Sequence, residues 1–149
     1  MSAAIRIEAL AKGFTLHLQG GIGFQVLRDE ALVVMPGECV ALTGPSGAGK
    51  STLMRCLQGN YGADAGHILL AHRGAMADLV TADARLVREI RRETLGYVSQ
   101  FLRVIPRVSA RDVVAEPLLA RGMPLAEAQA RATALLTRLN LPQIGRAHV

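Results

Sequence analysis

The sequence predicts an α/β fold with an antiparallel β layer at its N-terminus, followed by a parallel core sheet and the start of a helical subdomain. Three observations lead to this prediction. The first 35 residues have almost purely β patterns, strand and helix patterns alternate after residue 38, and a glycine-rich loop joins a buried strand pattern to a helix pattern. Strands that alternate with helices are typical of a parallel sheet.

The N-terminal β patterns are short and alternate apolar with polar side chains. Residues 5–9 predict an edge strand, residues 14–18 predict a second strand, and residues 25–35 predict one or two more. After a turn signal at residues 36–38, residues 39–43 form a short apolar run with β-branched side chains. Such a run is typical of a strand buried on both faces, and it would bury Cys39.

Helix patterns dominate after the glycine-rich loop, and two short strand patterns separate them. Each helix prediction rests on helical spacing of apolar residues or on a capping residue at its start. The predicted helices are residues 50–58, residues 82–92 after an N-cap at Thr81, a helix from Ser109 as N-cap to about Leu119, and a helix from Pro124 to about Leu139. The predicted strands are residues 66–71 and 96–99.

The charge pattern argues against a nucleic-acid partner although the chain is basic. The formal net charge is +5, but the 15 arginines and two lysines are spread over the whole chain. Aromatic residues make up 3% of the chain, which leaves little surface for stacking on bases. No apolar run approaches the roughly 20 residues of a membrane helix, and the N-terminus lacks a secretory signal pattern. We therefore expect a cytoplasmic chain with no direct membrane insertion.

The glycine-rich loop matches the phosphate-binding pattern G-x-x-x-x-G-K-[ST] in full. Its residues are Gly44-Pro-Ser-Gly-Ala-Gly49-Lys50-Ser51, followed by Thr52. The glycines allow backbone conformations that turn successive N–H groups toward an anion at a helix N-terminus. In such a loop Lys50 reaches the β- and γ-phosphates, Ser51 offers a hydroxyl to Mg²⁺, and Thr52 is placed to bond the α-phosphate. The loop therefore predicts binding of a nucleoside triphosphate.

Two classes of enzyme use this loop, and its position in the chain helps to separate them. Small-molecule kinases usually carry it on their first strand, whereas 43 residues with several β patterns precede it here. This position favours an ATPase with an extra N-terminal β layer over a small P-loop kinase. A non-enzymatic fragment without activity is the remaining alternative.

With these features in place, the chain resembles an ABC-type ATPase. Four features carry the resemblance: the loop form GPSGAGKST, Lys12-Gly13-Phe14 about thirty residues before it, Val98-Ser99-Gln100, and Pro36-Gly37-Glu38. In that family an aromatic residue upstream of the loop stacks on adenine, which implies this role for Phe14. Such stacking contributes about 1–3 kcal/mol per base. Gln100 matches the family's Q-loop glutamine, which contacts Mg²⁺ and the attacking water.

The resemblance implies ATP and Mg²⁺ as cofactors and a definite set of site residues. It implies catalytic roles for Lys50 and Gln100, and Mg²⁺ contacts from Ser51 and Gln100. The residues that it implies for nucleotide binding are Phe14, Gly44, Ser46, Gly47, Ala48, Gly49, Lys50, Ser51 and Thr52.

Four segments resemble a narrower group, the PhnL-type ABC subunits of the carbon–phosphorus lyase pathway for phosphonate use. They are residues 14–17, 78–81, 98–107 and 135–140, of which 98–107 is the most discriminating. This resemblance implies an accessory ATPase that acts with other phosphonate-pathway subunits in forming a ribose 1-phosphonate 5-triphosphate, and with an ABC dimer partner. The alternative is the ATP-binding subunit of a lipoprotein-export-type ABC transporter, with a membrane partner docked near the Q-loop.

Three parts that the family uses for hydrolysis are not found in the sequence. They are an LSGGQ-like signature, an apolar strand that ends in Asp followed by Glu, and a switch His. We expect residues 1–143 to be the N-terminal part of an ABC ATP-binding domain and residues 144–149 to be an atypical tail. The chain is then a fragment, which is favoured over a genuinely shortened nucleotide-binding protein. It would bind ATP weakly and would not hydrolyse it well.

Overall fold

The computed structural model describes residues 2–16, 21–98 and 107–141. The chain divides into two compact units, Met1–Leu95 and Gly96–Val149. The first unit contains a sheet, the glycine-rich loop and two helices, and the second contains a pair of helices. The tail predicted at residues 144–149 lies outside the described residues.

Four antiparallel strands form the sheet of the first unit. They are β1 (Ile5–Leu16), β2 (Ile22–Val34), β3 (Ala65–His72) and β4 (Ala75–Asp78), in the order β2-β1-β3-β4. This sheet confirms the predicted antiparallel layer and the strand at residues 66–71. The edge strand predicted at residues 5–9 is wrong, because β1 is one long strand that pairs with β2 on one side and β3 on the other. Alternation indicates that one face of a sheet is solvated, and an interior strand shows it as well as an edge strand does.

A bulge interrupts β1 where it passes β2 and β3. The register with β2 shifts after Ile7, and the register with β3 shifts after Glu8. At the bulge Ala9 has φ 47° and Gly66 has φ 85°. A Cβ atom on Gly66 would lie 2.3 Å from the carbonyl oxygen of Ala9, so β3 approaches β1 this closely only because residue 66 is glycine.

Strand β4 has no counterpart in the sequence analysis, because four residues are too few to show a period. Its end is held by Asp78, whose Oδ1 accepts hydrogen bonds from the backbone N–H groups of Val80 at 3.0 Å and Ile68 at 3.2 Å. The other carboxylate oxygen lies 2.8 Å from His67 Nδ1. This hydrogen bond and the charge of Asp78 raise the pKa of His67.

The core of the first unit combines one face of the sheet with two helices, α1 (Lys50–Leu57) and α2 (Ala84–Glu93). Its buried members are Ile7, Leu10, Leu27, Cys56, Leu57, Ile68, Leu70, Leu79 and Ile90. Ile90 of α2 is fully buried, and burial of such a side chain stabilises the fold by roughly 1.5–3 kcal/mol. The predicted helix at residues 50–58 is confirmed to within one residue.

The N-cap of α2 is Asp83, and the predicted cap at Thr81 is wrong. Asp83 has an extended backbone, and its Oδ1 accepts a hydrogen bond from Leu86 N–H at 2.7 Å. The hydroxyl of Thr81 instead donates to Asp78 at 3.4 Å. Thr and Asp are both good capping residues, so the sequence pattern does not choose between them. Asp78 prevents Thr81 from acting as the cap, because its hydrogen bonds hold residues 80 and 81 in the turn that follows β4.

The strand predicted at residues 39–43 is also wrong. These residues have no regular secondary structure and are exposed, Cys39 included. A strand needs a neighbour that completes its hydrogen-bond ladder, and within the described residues no strand pairs with this segment. For the same reason residues 96–98 form no strand, and Ser99 lies outside the described residues. All strand pairs in the described ranges are antiparallel, so the predicted parallel sheet is not seen in them.

The second unit is built from α3 (Ala110–Leu119) and α4 (Leu125–Arg138). Ser109 caps α3 as predicted: its hydroxyl accepts from Asp112 N–H at 3.2 Å and donates to Asp112 Oδ2 at 2.6 Å. Helix α4 begins directly after Pro124, as predicted. The two helices pack through the small buried side chains Ala115, Ala128 and Ala132.

Candidate functional site

The glycine-rich loop leads into α1, and its glycines adopt the conformations that the sequence analysis predicts. The φ angle is 138° at Gly44, 84° at Gly47 and 85° at Gly49. Gly49 is the N-cap residue of α1, and a Cβ atom there would lie 3.0 Å from Leu27 Cδ2 and 3.1 Å from the carbonyl oxygen of Val26. Residue 49 must therefore be glycine both for its backbone conformation and for its close approach to β2.

Lys50 places a positive charge at the centre of the loop. Its Nζ donates hydrogen bonds to the carbonyl oxygens of Gly44 at 2.7 Å and Pro45 at 2.6 Å. The same region is the N-terminus of α1, where the helix dipole contributes a partial positive charge, and the first turn of α1 contains no acidic residue. The loop therefore attracts an anion through the ammonium group, the helix dipole and the backbone N–H groups together.

A cavity of about 780 Å³ extends from the loop to an aromatic side chain on β1. Its volume lies within the range of small-molecule sites in proteins. The predicted residues that line it are Phe14, Ser46, Gly47, Ala48, Gly49, Lys50, Ser51 and Thr52. Gly44 is not among the lining residues, but its carbonyl holds Lys50. Gln100 lies outside the described residues, so its predicted role stays a prediction.

Three aromatic rings form one end of the cavity, although the whole chain has only three Phe and two Tyr. Phe14 of β1 is the register partner of Phe24 in β2, and their ring centroids are 6.0 Å apart. The centroid of Tyr61, which follows α1, lies 5.2 Å from that of Phe14 in an edge-on arrangement. We call Phe14, Phe24 and Tyr61 the aromatic end of the cavity.

Arg55 of α1 reaches the aromatic end from the side of the loop. It lines the cavity, and its Nη1 donates a hydrogen bond to the hydroxyl of Tyr61. The guanidinium carbon lies 5.3 Å from the centre of the Tyr61 ring, which is within the range of a cation–π contact. This contact ties the segment after α1 to the helix that carries the loop.

Asp64 fastens the segment before β3 to the strand that carries Phe14. Its Oδ1 accepts a hydrogen bond from Lys12 Nζ at 2.7 Å, and its Oδ2 accepts one from Gly13 N–H at 2.7 Å. The bond from Lys12, together with the bond from Gly13 and the charge of Lys12, lowers the pKa of the Asp64 carboxyl. We call this pair of contacts the Asp64 clamp.

Five further residues line the cavity that were not predicted as site residues: Thr15, Phe24, Val26, Arg55 and Tyr61. A signal existed for one of them on α1, because Arg55 follows Ser51 by one helical turn and so lies on the same helix face. Phe24 could be found only from the register of β1 with β2. Tyr61 lies in irregular chain after a helix, where no local pattern predicts its position.

A second cluster of possible ligand groups lies away from the cavity. His72, Glu89 and Glu93 place their ligand atoms within 4.8 Å of one another. The guanidinium group of Arg73 forms an ion pair with Glu89 and binds Glu93 at 2.8–3.0 Å, and His72 Nδ1 lies 2.7 Å from the hydroxyl of Thr94. Because Arg73 forms ion pairs with both carboxylates and Arg92 forms a second one with Glu93, we interpret this cluster as an ion-pair network that joins β3 and the turn after it to α2.

Comparisons with known proteins agree on one family. The family model described as ABC transporter matches residues 27–149. The lipoprotein-releasing system ATP-binding protein LolD of Novosphingobium aromaticivorans is 39% identical over 137 residues, which are 92% of this chain and 58% of that protein. LolD of Maricaulis maris is 41% identical over 79% of this chain and 50% of its own length. The pyoverdine export ATP-binding/permease protein PvdT of Pseudomonas putida is 44% identical over 78% of this chain and 17% of PvdT. The chain thus spans 50% to 58% of the length of these two LolD proteins.

Two solved structures share the fold and confirm the predicted fold class. One is a dimeric ATP-binding cassette in a post-hydrolysis state with ADP and Pi, with a TM-score of 0.77 and 24% identity over 93% of this chain and 58% of that one. The other is a dimeric bacterial ABC transporter cassette, with a TM-score of 0.76, 25% identity and the same coverage. Within the described residues, none of the helices is long and apolar enough to cross a membrane.

Proposed function

The chain belongs to the ABC transporter family, and from that premise we propose that it is the ATP-binding part of a transporter of the lipoprotein-release type. The observation that carries the proposal is the cavity that joins the glycine-rich loop to the aromatic end. The LolD relatives support the choice of transporter type. Family membership also argues against the small-kinase hypothesis.

In this proposal the loop end of the cavity binds the triphosphate. Lys50 exchanges its carbonyl partners, Gly44 and Pro45, for phosphate oxygens, which carry more negative charge. Backbone N–H groups of residues 46–49 and the N-terminus of α1 supply further positive potential. Thr52 lines the cavity, and its hydroxyl would bond the α-phosphate.

The same end suits Mg²⁺ because it offers an oxygen ligand beside a phosphate site. Ser51 follows Lys50 at the start of α1, is exposed and lines the cavity. A hydroxyl together with phosphate oxygens is the ligand set that Mg²⁺ takes in P-loop proteins. When bound, the ion would neutralise phosphate charge. Gln100 remains the second predicted ligand, on the resemblance alone.

The aromatic end of the cavity is proposed to bind the adenine. Phe14 is the residue that the family resemblance implies for stacking, and Phe24 and Tyr61 enlarge the apolar surface beside it. Base stacking on an aromatic ring contributes about 1–3 kcal/mol. The two ends of one cavity therefore match the two chemically different ends of ATP.

Partners and location are proposed from the relatives. We propose a membrane-embedded transporter subunit as partner, which would hold the chain at the cytoplasmic face of a membrane, and a second ATP-binding cassette as dimer partner. The dimeric state of both solved structures with this fold supports the second part.

The phosphonate-pathway hypothesis has weaker support than the lipoprotein-release alternative. Its most discriminating segment is residues 98–107, of which residues 99–106 lie outside the described residues. The LolD and PvdT relatives are named for lipoprotein release and pyoverdine export. Nothing in the described geometry of the cavity favours a phosphonate-pathway subunit over a transporter subunit.

The first experiment is to measure Mg²⁺–ATP binding to the 149-residue chain by isothermal titration calorimetry. Lys50→Ala should weaken binding at least about tenfold, because a hydrogen bond to a charged group contributes about 1.5–3 kcal/mol. Arg85→Ala is the control, since it removes an exposed positive charge from α2 outside the cavity and should change the affinity less than about twofold. Equal affinities of the wild-type chain and the Lys50→Ala variant would contradict the phosphate-binding role.

The second experiment identifies the partner class. A tagged chain, produced in the cells from which it comes and cross-linked before lysis, should co-purify with detergent-solubilised membrane proteins. Recovery of soluble phosphonate-pathway subunits in place of membrane proteins would favour the phosphonate hypothesis and would overturn the transporter proposal.

A further inference from the structure

A register shift separates the strand segment that carries Phe14 from the rest of the β1–β2 ladder. The register of β1 with β2 shifts between Lys12 and Gly13, directly before Phe14. The backbones are also close here, because a Cβ atom on Gly13 would lie 3.1 Å from the carbonyl oxygen of Phe24. From Gly13 to Leu16 the pairing with β2 is regular again, so the shift leaves only a short stretch of ladder around Phe14. Contacts made to β1 at the shift, from outside the β1–β2 ladder, therefore add to what holds this short stretch in place.

The Asp64 clamp supplies such contacts at the position of the register shift. Asp64 binds Lys12 through one carboxylate oxygen and Gly13 N–H through the other, each at 2.7 Å. Its own backbone N–H donates to the carbonyl oxygen of Ala11 at 2.9 Å. Three hydrogen bonds thus join one residue to three consecutive residues of β1 that precede Phe14.

The Asp64 clamp is also linked to the Phe14 ring through Lys12. Lys12 Nζ, which Asp64 binds, lies over the ring of Phe14 at 5.5 Å from its centroid. Asp64 and Lys12 line a second cavity of about 560 Å³, and Phe14 and Phe24 line both cavities. Phe14 therefore borders both the cavity with the glycine-rich loop and the cavity with the clamp.

We propose that Asp64 is a positioning residue for base recognition, which acts through Lys12 and Gly13 to hold the Phe14 ring in the orientation that receives the nucleobase. The inference rests on the proposed function, because it assumes that the aromatic end binds the base of ATP. It assigns to Asp64 no contact with the phosphates, since the carboxylate lies outside the cavity that contains the loop.

The test compares two ligands that differ only in the nucleoside. Dissociation constants of ATP and of inorganic triphosphate, each with Mg²⁺, are measured for the wild-type chain and for Asp64→Ala. We expect Asp64→Ala to weaken ATP binding about fivefold or more, as partial loss of base stacking requires, and to leave triphosphate binding within about twofold of wild type. Phe14→Ala should show the same pattern with a larger loss for ATP.

Two further variants make the result specific. Asp64→Asn keeps an oxygen that can accept from Gly13 N–H but loses the charge that attracts Lys12, so its ATP affinity should lie between wild type and Asp64→Ala. It also provides the measurement if Asp64→Ala does not fold. Glu30→Ala removes an exposed carboxylate from β2 away from both cavities and should leave both affinities unchanged.

The outcomes separate this inference from the proposed function. Equal losses for ATP and triphosphate in both Asp64 variants would show that Asp64 supports the fold only, and no loss for either ligand would show that it does not position Phe14. Either result overturns the inference while wild-type binding of both ligands stands. A wild-type chain that binds neither ligand would overturn the proposed function and this inference together.

Discussion

At the scale of single residues, two glycines of the first unit show that a position can require glycine for two different reasons. Gly66 and Gly74 have φ angles of 85° and 82°, so any other residue would be strained at both positions. A Cβ atom on Gly66 would lie 2.3 Å from the carbonyl oxygen of Ala9, whereas one on Gly74 would meet no atom within 4 Å. The backbone conformation is a shared requirement, and the close approach of β3 to β1 is specific to Gly66.

We predict different losses of stability for the two alanine variants. Gly74→Ala should lower the free energy of unfolding by about 1–2 kcal/mol, which is the cost of the left-handed conformation. Gly66→Ala should cost at least about 2 kcal/mol more, because the backbone oxygen of Ala9 cannot move aside without disturbing the β1–β3 ladder. Urea unfolding of both variants measures the difference. Equal losses would mean that the bulge relaxes around the added methyl group.

Gly49 shows the same two requirements inside the proposed phosphate site. Its glycine character could be predicted from the loop pattern, but its contact with Val26 and Leu27 of β2 could not. The pattern describes neighbours along the chain, whereas the contact depends on how α1 is placed against the sheet. The loop is thus defined by local sequence and held in place by the sheet.

At the scale of elements, the start of α2 shows how neighbouring structure chooses between two equivalent local signals. Thr81 and Asp83 both have suitable side chains for an N-cap. Asp83 bonds Leu86 N–H, while Asp78 at the end of β4 holds Thr81 and Val80 in the preceding turn. Helix α2 therefore begins after Asp83, because Val80 and Thr81 are held in the turn that follows β4.

A pair of variants tests this assignment. Asp83→Ala should lower the free energy of unfolding by about 1 kcal/mol, because it removes the hydrogen bond that caps α2. Thr81→Ala should cost less than about half of that, since the hydroxyl makes one long hydrogen bond to Asp78. Thermal unfolding monitored by circular dichroism compares the two. The reverse order would restore Thr81 as the cap.

How well the other elements can be predicted depends on whether the interactions that form them are local or long-range along the chain. Helices α1, α3 and α4 were predicted to within about a residue, because helical hydrogen bonds join residues four apart and the caps are local. Residues 39–43 were predicted as a strand from composition, but a strand forms only beside a partner. In the described residues such a partner does not lie beside this segment, and its apolar side chains are exposed.

At the scale of the whole molecule, two of the three acidic residues after Gln100 have structural roles in the helix pair of the second unit. Asp112 accepts hydrogen bonds from Ser109 and from Gln129 Nε2 at 3.0 Å, and these bonds lower the pKa of its carboxyl. Glu127 binds Arg131 one turn later at 2.9 Å. Neither pattern resembles the strand-borne Asp and Glu that the family uses for hydrolysis.

We therefore predict that the 149-residue chain binds ATP without sustained turnover. Phosphate release from Mg²⁺–ATP should proceed at the rate measured for the Lys50→Ala variant, since that variant lacks the triphosphate contact and reports the background. The measurement is a coupled phosphate assay at an ATP concentration that saturates the wild-type chain. Turnover that depends on Lys50 would contradict the prediction and would mean that the chain contains its own hydrolytic groups.

The parts of this protein that depend on contiguous residues follow from local sequence patterns. Residues 44–52 define the loop and the start of α1, and these led to the correct family. The strand order of the sheet makes β1 an interior strand, and the fold brings Phe24, Tyr61 and Asp64 close to Phe14 and its neighbour Gly13. These residues come from separate segments of the chain. The register of β1 with β2 brings Phe24 to Phe14, and the path of the chain from α1 to β3 brings Tyr61 and Asp64 there. Both the register and this path depend on pairing between strands that are distant in sequence, which local patterns do not encode.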